Sequence, residues 1–396
     1  MNVQHWKDRI ARFLGAQTIS LMGSSIVQFA IIWHITVETS SGTMMMLATV
    51  CSFAPQILLS LFAGVLLDRY SRKYLIMIAD TVIALTTLAL FFVLRANDNN
   101  LTYLFIALAI RSAGTGVQSP AVNAVIPQLV PESVLMRING LYASMYSFIA
   151  FLSPALAATV LSFAGLRAAL LIDIATALIG VAITATISFP SLERTDQEAP
   201  SSLEGLKDGL NYLRGHTLLR RLLSYLAMTL FLLSPVFMIS LISERSFGGE
   251  YWRLASMESS YGLGAIIGGA FIAWWGGMEN RMTMSLIAAV GLGVLMVALG
   301  FASYWVFVIL LFAWGLVGPL YDTPFVTLLQ ERVEPDMHGR VFGFLQVVIA
   351  ASIPLGMMLF GPLADIVPIE YIYIVCGLLI IVLAAFARYG LKLEEI

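Results

Sequence analysis

The sequence predicts an all-α integral membrane protein with twelve membrane-spanning helices in two six-helix bundles. Three observations carry this prediction. The 396 residues are 59% hydrophobic and only 12% charged, with a mean hydropathy of +0.88, whereas a soluble domain carries about a quarter charged residues. Twelve apolar runs each reach the ~20 residues that a helix needs to cross a bilayer. The basic residues gather at alternate ends of those runs, as they do in the cytoplasmic loops of multi-pass proteins.

Six runs precede the polar stretch FPSLERTDQEAPSSLEGLKDGLNYLRGHTLLRR and six follow it. The first six lie at roughly 13–35, 43–67, 75–95, 101–122, 139–162 and 168–189. The second six lie at roughly 222–243, 255–275, 283–302, 305–326, 341–362 and 370–388. Lys7, Arg9 and Arg12 stand ahead of the first run. That run, of about 23 residues, exceeds the apolar core of a cleaved signal and reads as a retained span. The organisation is therefore an N-terminal half (1–189), a cytoplasmic linker (190–221) and a C-terminal half (222–396). In the linker, Ser201 and Glu204 fit a capping box. Leu203, Leu206, Leu210 and Leu213 then recur at helical spacing, which predicts an amphipathic helix on the membrane surface.

With the amino terminus inside, only Arg95, Arg167, Arg245 and Arg253 of the 22 basic residues fall outside, and Arg111 falls within a span. Reversing the chain would put the large basic majority outside. Both termini are therefore expected in the cytoplasm of a multi-pass cell-membrane protein.

Several function classes find no support. A net charge of −2 gives no sign of a nucleic-acid partner. Cys51 and Cys376 sit in apolar runs and read as small core residues. His5, His34, His216 and His338 have no second ligand at metal spacing, so no metal is expected. No phosphate-cradling loop and no nucleophile and base pair appear, so neither a cofactor nor an enzymatic activity is expected.

A repeat underlies the two sets of six. Gly114, Pro120 and Pro131 map onto Gly318, Pro324 and Pro335 at a constant offset of 204. Charge is concentrated in AGVLLDRYSRKYLIMIAD, between the second and third runs. A basic inside loop alone accounts for Arg69, Arg72 and Lys73, but not for Asp68 or Gly64. The pattern Gly64-x-x-x-Asp68-Arg69-x-x-Arg72-Lys73 resembles the signature loop of the major facilitator superfamily, with Ser71 where glycine is usual. The resemblance implies a cytoplasmic gate. Gly64 would let span 2 pack closely against span 11, and Asp68 would sit at the amino-terminal end of that span, near Arg340, where the helix dipole favours negative charge. The basic residues would pair with acidic groups at the same face.

Arg111 lies near the middle of span 4, where an ionisable group costs from about 3 kcal/mol upward and is a functional candidate by default. AIRSAGTG resembles the family's span 4 motif, in which an arginine is tied to proton coupling, although Gly114 follows after three residues where four are usual. A structural alternative is an arginine that bridges helices through backbone carbonyls. SPALAA, with Ser153, Pro154, Ala157 and Ala158, is similar to a small-residue form of the family's antiporter motif, and equally to ordinary small-residue packing. Gly264 and Gly268 form a packing seam. The acidic candidates for carrying protons are Asp80, Asp173, Glu258 and Asp322. Asp80 and Asp322 stand near the cytoplasmic ends, where they could belong to the gate. Asp173 and Glu258 stand one to two turns below the outer surface, where they could also be rim residues reaching water. Span 1 has no carboxylate but offers Gln17, Gln28 and Trp33. The candidates for a substrate cavity are Gln28, Trp33, Tyr142 and Tyr146, although aromatic residues in spans more commonly pack or anchor.

Within the superfamily, GAQTISLMGSSIVQFAIIW, LLDRYSRKYLIMIAD, IRSAGTGVQSPAVNAVIPQLVPE and LLQERVEPDMHGRVFGF resemble the macrolide-efflux and siderophore-export branch. This implies a monomeric, proton-driven antiporter in the lipid bilayer that expels amphipathic small molecules such as macrolides by alternating access. The alternatives are an exporter of siderophores, an importer or facilitator of a small metabolite, and a non-transporting protein that kept the fold.

Overall fold

A computed structural model of the chain describes residues 6–96, 100–189, 215–334 and 337–389. The linker's capping box and amphipathic helix lie outside the described residues, and of Gly64, Asp68 and Arg340 only the helical backbone is described. The described residues form helices and no strand. The chain divides into two compact units. The first comprises residues 1–35 and 48–203, and the second comprises 36–47 and 204–396.

In the first unit the helices are α1 (Trp6–Thr39), α2 (Gly42–Arg69), α3 (Arg72–Ala96) and α4 (Leu101–Leu129), followed by one continuous run, Glu132–Thr186. That run is two helices, α5 (132–164) and α6 (166–186), broken at Gly165 with φ 72° and ψ 179°. Only glycine adopts this backbone without strain, so one residue does the work of the loop expected between spans 5 and 6. Asn100 starts α4, its side chain accepting from the Thr102 N–H at 3.1 Å. The helix stops at Val130, which is extended, the conformation that the ring of Pro131 favours in the residue before it. α3 packs against α4 and against the α5–α6 run. Phe13, Ile76, Val125, Ile126, Leu129 and Tyr142 form the apolar core at one end of this unit.

The second unit holds α7 (Thr217–Leu233), a 3₁₀ segment Ser234–Met238, α8 (Ile239–Phe247), α9 (Tyr251–Trp275), α10 (Arg281–Leu299), α11 (Tyr304–Arg332), α12 (His338–Ala364) and α13 (Ile369–Tyr389). The expected seventh span, 222–243, is thus longer and interrupted. Pro235 has no N–H to give Phe231, and the Ser234 hydroxyl donates to that carbonyl at 2.7 Å instead. α9 and α11 meet at Gly264, Gly268 and Gly315. A Cβ on Gly264 would stand 2.1 Å from the Phe312 carbonyl oxygen, so the seam read from the sequence is a contact of backbone on backbone.

Residues 36–47, the end of α1, the turn after it and the start of α2, belong to the second unit. Asp365, just past α12, accepts from the Gly42 N–H at 2.6 Å, the Thr43 N–H at 2.9 Å and the Thr43 hydroxyl at 2.6 Å. Arg245 donates to Asp365 at 2.7 Å and to the Ser40 carbonyl at 2.6 Å. Burial raises the Asp365 carboxyl, but the hydrogen bonds from Thr43, Gly42 and Arg245 outweigh it and hold the group well below the usual carboxylate range. This carboxylate caps the first turn of α2, where the helix dipole is positive.

Nine stretches among the described residues are long and apolar enough to cross a membrane. One of them, 133–186, contains both α5 and α6. Neither α4 nor α9 meets that measure. Arg111 lies in α4, and Arg253 and Glu258 lie in α9.

Candidate functional site: a buried ion pair in the first unit

Arg111 is brought to the interior by α4, whose neighbours at this level are apolar or small, so its guanidinium must find partners within the protein. It finds Asp173 on α6, which is 0% exposed. The same guanidinium donates to the Thr87 hydroxyl of α3 and, at 3.3 Å, to the Ser24 carbonyl of α1. Asp173 accepts from the Thr87 hydroxyl at 2.8 Å and from the Ser24 hydroxyl at 3.1 Å. Four helices therefore converge on one cation and one anion. Both carboxylate oxygens are satisfied, as a buried charge requires. Full burial excludes the rim position considered for Asp173. A guanidinium bonded to a carboxylate does more than bridge backbone carbonyls, although the Ser24 contact is one such bridge.

Beside Arg111 lies a small cavity of about 30 Å³ lined by Ser24, Gln28, Ser52, Gln56, Ser112 and Thr115 together with Ile83 and Leu108. That volume admits a water, which needs about 10–15 Å³ and two to four polar partners. Gln28 thus faces polar space next to the pair. α2 approaches α4 here, and the Gln56 N–H donates to the Ser112 hydroxyl at 3.0 Å. Gly116 makes the approach possible, since a Cβ there would stand 2.7 Å from the Gln56 carbonyl oxygen.

The remaining candidates are placed as follows. Trp33 is buried against Phe29, with ring centroids 5.6 Å apart. Tyr142 belongs to the apolar core, and Tyr146 meets it edge to face at 5.2 Å while remaining partly exposed. Ser153, Pro154, Ala157 and Ala158 form one buried face of α5, and the Ser153 hydroxyl reaches Met22 of α1 at 3.4 Å. Glu258 on α9 is half-buried and Asp322 on α11 exposed, both in the second unit. Arg69 is exposed at the end of α2. Arg72 donates to the Ala124 carbonyl of α4 at 2.7 Å, and Lys73 donates to the Ala185 and Ile187 carbonyls at 2.7 Å each. These partners are carbonyls where acidic side chains were expected. Lys73 reaches the end of α6, whose last carbonyls have no partner within the helix and carry partial negative charge.

Thr87 and Ser24 had not been singled out in the sequence. Thr87 stands seven residues beyond Asp80 in α3, two turns along the same helical face. A hydroxyl in register with a carboxylate inside an apolar helix was the available signal.

Comparison with known proteins adds the following. The family model described as Major Facilitator Superfamily matches residues 13–352 and 253–395. The macrolide efflux protein A of Streptococcus pyogenes is 30% identical over 385 residues, 96% of this chain and 95% of that protein. The macrolide efflux protein A of Enterococcus faecalis is 29% identical over 322 residues, 80% of this chain and all of that protein. The nucleoside transporter NupG superposes with a TM-score of 0.70 at 14% identity over 96% of this chain and 98% of its own, a likeness of fold alone.

Proposed function

Because the chain belongs to the Major Facilitator Superfamily, a class of membrane transporters, we propose that it exports amphipathic small molecules of the macrolide type in exchange for protons. The observation that carries this reading is the Arg111–Asp173 pair at the meeting of α1, α3, α4 and α6. A buried pair of this kind is rarely kept for stability, since well-packed apolar residues of similar volume often serve as well. In a transporter, ionisable groups buried within the spans mark ion pathways and proton relays. The named activity of the macrolide efflux relatives along nearly the whole chain supports the passenger class and the outward direction.

Mechanistically, the halves 1–189 and 222–396 rock about a site near the bilayer midplane, exposing it to one side at a time. Both termini and the α2–α3 turn face the cytoplasm, following the basic residues. Asp68 and Arg69 act at the cytoplasmic gate beside Gly64. Arg72 and Lys73 brace that turn by holding α4 and the end of α6. Protonation of a buried carboxylate in the field of Arg111 biases the two conformations, because the proton binds one of them more tightly. Gln28 and the polar cavity beside Arg111 admit water or a polar group of the passenger. The protein works as a monomer in the cell membrane, with no cofactor.

The test is accumulation of radiolabelled erythromycin in bacteria lacking their major pumps. The wild type lowers accumulation. A protonophore, Asp68→Asn and Arg111→Ala each restore it at matched membrane levels. Accumulation unaffected by the wild type refutes macrolide export, and full export by Arg111→Ala removes the pair from coupling.

A further inference from the structure

The proton's binding site can be named more closely, and the inference rests on the proton-coupled reading above. α1, α3 and α4 carry polar residues in two tiers. Ser24, Thr87 and Arg111 build the first with Asp173 of α6. Ser20, Asp80 and Gln118 build the second. Asp80 and Thr87 are seven residues apart on α3, as are Arg111 and Gln118 on α4, so the tiers are separated by about 10 Å at 1.5 Å per residue.

The two carboxylates live in opposite settings. Asp173 is bonded to a guanidinium. Asp80, 2% exposed, has none: its Oδ1 accepts from the Gln118 amide at 2.6 Å and the Ser20 hydroxyl at 3.4 Å. Its Oδ2 is buried and meets no donor, and so is Oε1 of Gln17, three residues from Ser20 on the same face of α1. The ionisable groups presented by the surrounding helices do not offset a charge here. Arg111 of α4 and Asp173 of α6 bind each other, and Arg72 and Lys73 bind backbone carbonyls. α5 contributes the phenol of Tyr142, in the core around Ile76. An anion held by one amide and one hydroxyl is expensive away from water. One hydrogen on Oδ2 removes the charge and converts an acceptor without a donor into a donor, and Oε1 of Gln17, one turn from Ser20 on α1, is a buried acceptor that lacks one.

We propose that Asp80 is the site where the coupling proton binds, the neutral acid standing between Gln118 and Gln17. Loading adds one proton to Oδ2 and unloading returns it, with no other bond made or broken. Arg111–Asp173 remains the fixed, self-neutralising tier two turns away.

The decisive measurement is infrared spectroscopy of the full chain reconstituted in lipid, with hydrogen exchanged for deuterium. The wild type shows the carbonyl stretch of a protonated carboxylic acid. Asp80→Asn loses it, Asp322→Asn keeps it, and Gln17→Leu, which retains the acid, shifts it by removing the acceptor of its O–H. A band that survives Asp80→Asn unchanged, or that Gln17→Leu does not move, overturns the proposal. In vesicles with an imposed pH gradient, erythromycin transport is lost in Asp80→Asn and returns in Asp80→Glu. Transport by Asp80→Asn equal to the wild type overturns it as well. A wild type that moves nothing under the gradient defeats the export reading, while the infrared result still decides whether Asp80 holds a proton.

Discussion

Breaking the Arg111–Asp173 pair from either side should cost more than removing it altogether. Asp173 is wholly buried and the guanidinium nearly so, so neither charge is screened by solvent. Removing one partner of a buried pair costs about 3–5 kcal/mol, because the other charge is left uncompensated. In Arg111→Leu, the Thr87 and Ser24 hydroxyls still serve the carboxylate, which puts that variant near the lower end, about 3 kcal/mol. In Asp173→Asn, the guanidinium is left with neutral acceptors alone, the Thr87 hydroxyl, the Ser24 carbonyl and the new amide oxygen, so its charge is uncompensated, which puts the variant near the upper end. The double variant has neither charge to strand and should lose less than Asp173→Asn alone. The assay is reversible unfolding in mixed micelles, read as a double-mutant cycle. At 1.4 kcal/mol per decade, a loss of about 3 kcal/mol is roughly a hundredfold shift in the unfolding equilibrium. If the single costs simply add in the double variant, the two residues are not coupled and the reasoning fails.

Other expectations concern packing, capping and the loops. Gly264→Ala should destabilise the protein by about 1–3 kcal/mol, because its Cβ would overlap the Phe312 carbonyl and push α9 from α11. Gly318→Ala, which meets nothing within 4 Å, is the control that should lose nothing in a melting curve. Lys73→Met should speed hydrogen exchange at the last amides of α6 and cost about 1 kcal/mol, since two carbonyls lose their donor. Asp365→Asn should speed thiol labelling of a Ser246→Cys reporter by loosening the first turn of α2 from Arg245. The Asp365 carboxyl lies below its unfolded value, so its stabilisation is complete above that value and is lost as pH falls through the folded one. Labelling in the protein with Asp365 intact should therefore be flat from about pH 8 to about pH 5 and rise only in stronger acid.

Much of this was legible because a bilayer makes strong demands on local sequence. Runs of ~20 apolar residues can only be spans, and a lone arginine inside one must be answered. Arg111 and Asp173 each stood out on those grounds. Their pairing did not, because 62 residues separate them and only the packing of α3 and α4 against the α5–α6 run brings them together. The Gly264 and Gly268 seam was readable from its spacing of four, a purely local signal. The Ser234–Met238 segment was not read, although Pro235 marks it, because proline also occurs in uninterrupted helices such as α4. Asp365 and Arg245 have no local signal, since their role depends on a helix start more than 200 residues away. The carbonyl partners of Arg72 and Lys73 escaped notice for a similar reason. Backbone acceptors leave no letter in the sequence.

The tiers of the first unit also bear on voltage. Arg111 and Asp173 cancel, and with a proton on Asp80 the buried groups there carry no net charge. If an uncharged passenger leaves as that proton enters, each cycle moves one positive charge inward, and the membrane potential adds about 2.3 kcal/mol per 100 mV to the drive. If the passenger is a monocation, the exchange moves no net charge and voltage contributes nothing. If one proton is exchanged per cycle, the current through a reconstituted membrane therefore reads out the charge of the passenger, before its chemical identity is known.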